Sequence, residues 1–135
     1  MRIMLDTNVL ISAVLFPGAK MNAMMNEIFT HHQLVLSSYV VDELKDVVKR
    51  KFPMKENIIN NLLMAMNYEY VYTPNRIEKD LFVIRDVKDY LVLYTAIIED
   101  VDILVTGDKD FSNIDIEKPE ILSPSQLMEK FSVES

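Results

Sequence analysis

The segment Ile3-Met4-Leu5-Asp6 sets the architecture of this chain, because a short apolar run stops abruptly at a carboxylate. The same form, an apolar run that ends at polar or turn-forming residues, recurs at 34–36, 70–72, 103–105 and 121–122. The stretches between these runs are long enough for crossover helices. An alternation of short strands and longer helices is typical of a parallel sheet that helices cover on both faces. The sequence therefore predicts an α/β fold.

Composition narrows the class of protein. The chain has 135 residues, is 50% hydrophobic and contains no cysteine. This size fits one domain, residues 1–135, and the lack of cysteine excludes a thiolate metal site or nucleophile. The first apolar run stops too early for a signal peptide, and no run approaches the roughly 20 residues of a membrane span. We therefore expect a cytoplasmic protein that does not act in the membrane.

Two local signals set boundaries in the first half of the chain. Ser37 or Ser38 is suited to cap a helix that runs to about Arg50, where Phe52 and Pro53 end it. The segment 16–22, which contains a Pro-Gly pair, is expected to be a loop near the end of the first strand.

Several acids follow strands or begin helices on one side of the predicted sheet. Asp6 follows the first strand, and Thr106 and Asp108 follow the fourth. Glu43 and Asp89 lie at or near the start of helices on the same side. In an open parallel sheet, ligands bind outside the carboxyl ends of the strands. Residues far apart in sequence are thus expected to converge there.

Helix periodicity separates two neighbouring acids, Asp42 and Glu43. The helix over 38–50 has an apolar stripe formed by Val40, Val41, Leu44, Val47 and Val48. At roughly 100° per residue, Glu43 lies on the border of the stripe and Asp42 points away from it. We therefore expect Glu43 at the rim of the core and Asp42 in solvent.

Converging carboxylates repel one another, and a hard cation relieves that repulsion. Mg²⁺ and Mn²⁺ prefer carboxylate and water oxygens, so these two ions are the expected cofactors. The net charge of −7 counts against unaided binding of nucleic acid. Cations cluster near the end of the 38–50 helix, where Lys49 and Arg50 are candidate contacts to an RNA backbone.

Four segments together resemble the PIN-domain (PilT N-terminus) family. They are Leu5-Asp6-Thr7-Asn8-Val9-Leu10, Ser37-Ser38-Tyr39-Val40-Val41-Asp42-Glu43-Leu44, Asp89-Tyr90-Leu91-Val92-Leu93-Tyr94-Thr95-Ala96 and Ile103-Leu104-Val105-Thr106-Gly107-Asp108-Lys109-Asp110-Phe111. The last two are most similar to the VapC-like toxins of toxin–antitoxin pairs.

The resemblance implies a three-layer α/β/α sandwich and Mg²⁺- or Mn²⁺-dependent cleavage of RNA. If the matching positions have the roles that they have in the family, the catalytic metal ligands are Asp6, Glu43, Asp89 and Asp108. The residues that orient these ligands are then Asn8, Thr106 and Ser37 or Ser38. Asp86 is an alternative to Asp89 as the third ligand, although helix register favours Asp89. Asp110 competes with Asp108, which stands two positions after Thr106. The resemblance also implies an antitoxin partner and a homodimer.

Two other functions fit part of the pattern. One is a PIN-like module that binds RNA or protein without turnover. The other is a metal-dependent phosphatase, for which the acid after the first strand is suitable. Asn8 argues against the haloacid dehalogenase type, because that class has a second Asp two residues after the first.

Overall fold

Five parallel strands form the central sheet of the computed structural model, which describes residues 1–134. The strands are β1 (Arg2–Leu5), β2 (Gln33–Ser37), β3 (Glu69–Val71), β4 (Ile103–Val105) and β5 (Glu120–Leu122). Their order across the sheet is β3-β2-β1-β4-β5, and each neighbouring pair is parallel. The predicted parallel sheet is therefore confirmed.

Helices cover both faces of this sheet. They are α1 (Thr7–Leu15), α2 (Ala19–His31), α3 (Ser38–Lys51), α4 (Glu56–Ala65), α5 (Val87–Ile98) and α6 (Pro124–Glu134), with short 3-10 helices at Pro53–Lys55 and Lys109–Phe111. Ile3, Met4 and Leu5 are fully buried although successive side chains point to opposite faces. Both faces of β1 are thus covered, and the fold is a three-layer α/β/α sandwich. No described helix is long and apolar enough to cross a bilayer.

The order of the strands creates a switch point between β1 and β4. The chain builds β2 and then β3 on one side of β1, and then crosses to place β4 on the other side. Ligand-binding crevices form at such points, outside the carboxyl ends of the strands. Leu5 pairs with Val105, so Asp6 and Thr106 emerge side by side.

The helix predicted over 38–50 is confirmed to within one residue. Ser37 is its N-cap, and the hydroxyl oxygen of Ser37 accepts a hydrogen bond from Val40 N at 3.3 Å. Phe52 is the C-cap, directly before Pro53. Asp42 is exposed and Glu43 is partly buried, as the helix periodicity predicts.

The loop predicted over 16–22 is wrong in its second half. Helix α1 ends at Leu15 and α2 begins at Ala19, so only residues 16–18 connect the two helices. Gly18 is the N-cap of α2 and has an extended backbone. Ala, Lys and Met favour helices, and α2 therefore begins immediately after the Pro-Gly pair.

The segment 72–86 between β3 and α5 contains no helix or strand. Two tyrosines of α5 fasten it. Tyr90 Oη donates to the carbonyl oxygen of Glu78 at 2.5 Å and accepts from Leu81 N at 3.2 Å. Tyr94 Oη accepts from Glu78 N at 3.0 Å, and the ring of Phe82 stacks on Tyr90. The loop therefore packs on the same helix that carries Asp89.

Candidate active site

Asp6 lies at the switch point and is 6% exposed. It is the N-cap of α1, and its Oδ1 accepts a hydrogen bond from Val9 N at 2.9 Å. Its Oδ2 accepts a short hydrogen bond from Thr106 Oγ1. Burial is the main cause that raises the pKa of Asp6, and the charge of Asp108 adds to it. Asp6 is thus a fixed carboxylate beside a second acid.

Thr106 links the ends of β1 and β4. Its hydroxyl donates to Asp6 and accepts from Asp108 N at 3.1 Å. Asp108 Oδ1 in turn accepts from Asp110 N at 2.9 Å, which caps the short 3-10 helix. One hydroxyl thus holds a carboxylate and the backbone that carries another, and the orienting role of Thr106 stays a prediction.

Asp89, Asp108 and Asp110 form the acid cluster of the site. Each places a carboxylate oxygen within 4.8 Å of the others. Burial, followed by the charge of Asp108, raises the pKa of Asp89 from its ordinary 3.8 to about 6. The charges of Asp86 and Asp110 raise the pKa of Asp89 further. The cluster therefore concentrates negative charge that the described residues offset only in part.

The two ambiguities of the sequence have different outcomes. Asp86 is the N-cap of α5 and accepts from Lys88 N at 2.9 Å, whereas Asp89 points into the cluster. Asp108 and Asp110 both belong to the cluster, so the choice of Asp108 as the fourth acid stays a prediction.

Glu43 lies beside the cluster on α3. Tyr39, one helical turn earlier, donates its hydroxyl to Glu43 Oε1 at 2.6 Å. Burial, the hydrogen bond to Glu43 and the charges of Asp86 and Asp89 raise the pKa of Tyr39. The hydroxyl of Tyr39 on α3 is therefore close enough to the start of α5 for the charges of Asp86 and Asp89 to affect it. Among the described residues, Glu43 is not part of the tight group formed by the three aspartates.

The other residues predicted to orient the acids have different surroundings. Asn8 is exposed and lines a cleft of about 330 Å³ together with Asp108. Ser37 is fully buried and uses its hydroxyl to cap α3. Ser38 Oγ accepts from Thr73 N at 2.9 Å and so holds the end of β3. Of this set, Thr106 is the residue whose side chain bonds directly to a site acid.

Two cations that sequence reasoning missed lie at the rim of the acids. Arg85 contacts both carboxylate oxygens of Asp110, at 3.1 and 3.2 Å. Lys88 Nζ lies 3.9 Å from Glu43 Oε1. The pairs are far apart in sequence and leave no local signal. The Tyr39–Glu43 contact could have been found, because residues four apart are neighbours on a helix.

The predicted RNA contacts lie elsewhere. Arg50 pairs with Asp46 at 2.9 Å on the surface of α3. Lys49 lines a cleft of about 700 Å³ between α3 and α4, whose described walls include none of the site acids. Six residues of α-helix separate Glu43 from Lys49, a rise of about 9 Å along the axis.

The donors of the cluster are suited to a hard divalent cation. All are carboxylate oxygens, the class of ligand that Mg²⁺ and Mn²⁺ prefer. Burial is the main cause of the raised pKa of Asp89, and the charge of Asp108 adds to it; a cation would offset that charge.

The fold and site define an α/β protein with an acidic cleft at the switch point of a parallel sheet. The chain belongs to the PIN-domain family, whose sequence profile matches residues 2–110. Its fold is similar to that of a chain in the crystal structure of VapBC2 from Rickettsia felis bound to a DNA fragment from their promoter. That similarity has a TM-score of 0.69 and 21% identity, over 91% of this chain and 98% of the other. No curated protein matches the sequence.

Proposed function

We propose that this protein is a Mg²⁺- or Mn²⁺-dependent endoribonuclease and the toxin of a toxin–antitoxin pair. The observation that carries the proposal is the cluster of Asp89, Asp108 and Asp110 beside the buried Asp6, in a chain of the PIN-domain family. Acids in such a group are suited to hold metal and phosphate together, because the cation removes the repulsion between them.

The ligand roles divide by position. Asp89 and Asp108 would hold the ion together, and Asp110 lies close enough to contribute a third oxygen. Asp6 is fixed by Val9 and Thr106, so its carboxylate enters the site in one orientation. Glu43 borders the site from α3 and completes the set of predicted ligands.

A bound Mg²⁺ or Mn²⁺ supplies a more acidic water and offsets charge on the scissile phosphate. The residues of the chain then have positioning tasks. Thr106 fixes Asp6 and the backbone of Asp108 with one hydroxyl. Tyr39 occupies one oxygen of Glu43 and leaves the other free to accept a proton or a hydrogen bond. Such outer contacts are worth about 10- to 100-fold in metal affinity or activity.

The structural relative supports the toxin assignment. It belongs to the VapBC2 complex of Rickettsia felis bound to a fragment of promoter DNA, and the similarity covers nearly the whole of both chains. We infer that the protein acts in the cytoplasm, as a homodimer, with an antitoxin as its partner.

The decisive experiment is an RNA-cleavage assay with Mg²⁺, Mn²⁺ or EDTA, run beside Asp6→Asn. Asparagine can accept from Val9 N and donate to Thr106 Oγ1, so the variant keeps the helix cap and loses the charge. We expect cleavage by the wild type with either metal, none with EDTA, and a folded but inactive variant.

Three outcomes would contradict the proposal. Cleavage by Asp6→Asn at the wild-type rate would refute the site. Binding of RNA without cleavage under any metal would favour a non-catalytic module, and release of phosphate from small esters would indicate a phosphatase. Growth arrest on expression, absent for Asp6→Asn and relieved by a co-expressed antitoxin, is expected if the toxin assignment is correct.

A further inference from the structure

Two cations near the start of α5 pair with different acids of the candidate site. Arg85 lies just before α5 and pairs with Asp110, which follows β4. Lys88 lies in the first turn of α5 and approaches Glu43 on α3. Asp89, the residue after Lys88, belongs to the acid cluster together with Asp110.

We propose that Arg85 and Lys88 bind the RNA backbone on either side of the scissile phosphate, an inference that rests on the proposed function. The start of α5 then supplies both a metal ligand and the contacts that set the path of the strand. The expected substrate is single-stranded, because two cations on one short segment follow one backbone rather than the two strands of a duplex.

Exposure shows that both cations are free to change partner. The side chain of Arg85 is 84% exposed and that of Lys88 is 67% exposed, although both touch acids that are only 28% exposed. Ion pairs of such exposed side chains are weak. A divalent cation on Asp110 would compete with Arg85 for the same carboxylate oxygens. The planar guanidinium can then make two hydrogen bonds to a phosphate.

The local charge explains how an acidic protein could bind RNA. The chain carries a net charge of −7, and the acids of the site add to the repulsion of phosphate. Metal ions would offset those acids and leave Arg85 and Lys88, at the rim of the site, to attract phosphate. Lys49 and Arg50 lie near the far end of α3 and have no described contact to the acid cluster.

The test measures binding of a labelled single-stranded RNA by fluorescence anisotropy over a salt series. Ca²⁺ replaces Mn²⁺ because it also takes carboxylate oxygens, and cleavage with Mn²⁺ is measured in parallel. We expect Arg85→Ala and Lys88→Ala each to raise Kd several-fold. Each should also flatten the slope of log K against log salt by about 0.7, the value for one lost phosphate contact on a single strand. Arg85→Lys should recover part of the affinity.

Two matched variants serve as comparisons. Lys118 pairs with Asp100 and Asp102, two acids that precede β4 and lie at the opposite end of the strands from the acid cluster. Lys118→Ala should therefore leave the Kd for RNA unchanged. Arg50→Ala removes an arginine that, like Arg85, is paired with a surface aspartate. A larger loss of binding in Arg50→Ala than in Arg85→Ala would overturn the proposal and place the contact on α3.

A role limited to neutralising the acids predicts a different result. In that case, Arg85→Ala would bind metal more tightly and RNA as well as the wild type does, and the proposal would fall. If Arg85→Ala and Lys88→Ala bind RNA more weakly as expected but the wild type does not cleave RNA, the proposed ribonuclease is refuted and the RNA contacts are supported. A wild type that binds no RNA would refute both.

Discussion

We call the side of the sheet where the parallel strands begin the amino edge and the side where they finish the carboxyl edge. Both contain acidic and basic side chains, but in opposite electrostatic settings. At the amino edge, Arg2 pairs with Glu69 through two hydrogen bonds, at 3.0 and 2.7 Å. Lys118 lies 3.2 Å from Asp100 and 3.4 Å from Asp102. At the carboxyl edge, three aspartates crowd within 4.8 Å of one another, and exposed cations offset them only at the rim.

The pKa values of two aspartates express this difference. The hydrogen bond from Arg2 N, at 2.8 Å, is the main cause that lowers the pKa of Asp102, and Lys118 adds to it. Burial and the charge of Asp108 raise the pKa of Asp89 to about 6. The ionised form of Asp102 is therefore favoured by the fold, whereas the ionised form of Asp89 is disfavoured. Such uncompensated acids are typical of functional sites.

The largest expected effect is a difference in the rate of RNA cleavage between variants of the two edges. Asp89→Asn should lower the rate of RNA cleavage by about 100-fold or more, since even residues behind metal ligands contribute 10- to 100-fold. Asp102→Asn removes one negative charge from the other edge and should leave the rate close to that of the wild type. Cleavage rates are measured with Mn²⁺ at saturating RNA. Equal loss of rate in the two variants would mean that the difference between the two edges is unrelated to catalysis.

Metal-dependent stability should sharpen the same comparison. A ligand at ten times its Kd stabilises a protein by about 1.4 kcal/mol, and Mn²⁺ should therefore raise Tm by a few degrees. Asp89→Asn should reduce this shift, because a ligand is lost, whereas Asp102→Asn should keep it. Thermal unfolding with and without Mn²⁺ measures the shift, and a full shift in Asp89→Asn would remove that residue from the metal site.

The smallest effect concerns pH in the absence of metal. Asp89 has a folded pKa above its ordinary 3.8, so its protonated form favours folding and that stability is lost as pH rises through about 6. Asp102 has a lowered pKa, so its contribution is present above 3.8 and is lost as pH falls. In EDTA, Asp89→Asn should lose less Tm between pH 4 and 7 than the wild type does. A steeper loss in this variant would contradict the assignment.

Much of the fold could be predicted because the inner strands β1, β2 and β4 are buried on both faces. Ile103–Val105 matches the predicted run, and its three residues are at most 1% exposed. β3 is displaced by one residue, to Glu69–Val71, because its register depends on pairing with β2. A strand at the edge of the sheet carries a weaker apolar signal, and Tyr70 and Tyr72 are both exposed.

The candidate site could be predicted in part. The positions of Asp6, Asp89 and Asp108 follow from strand ends and helix starts, which local sequence indicates. The joint presence of Asp108 and Asp110 depends on the 3-10 helix that turns the second acid back toward the first. The pairing of Arg85 with Asp110 depends on how the loop before α5 meets the loop after β4, and no local pattern specifies it.

The attachment of segment 72–86 to α5 has an evolutionary consequence. Tyr90 and Tyr94 hold the loop by its backbone groups at Glu78 and Leu81, whereas Asp89 points into the acid cluster from the same helix. Substitutions and insertions elsewhere in the loop could therefore accumulate without moving Asp89.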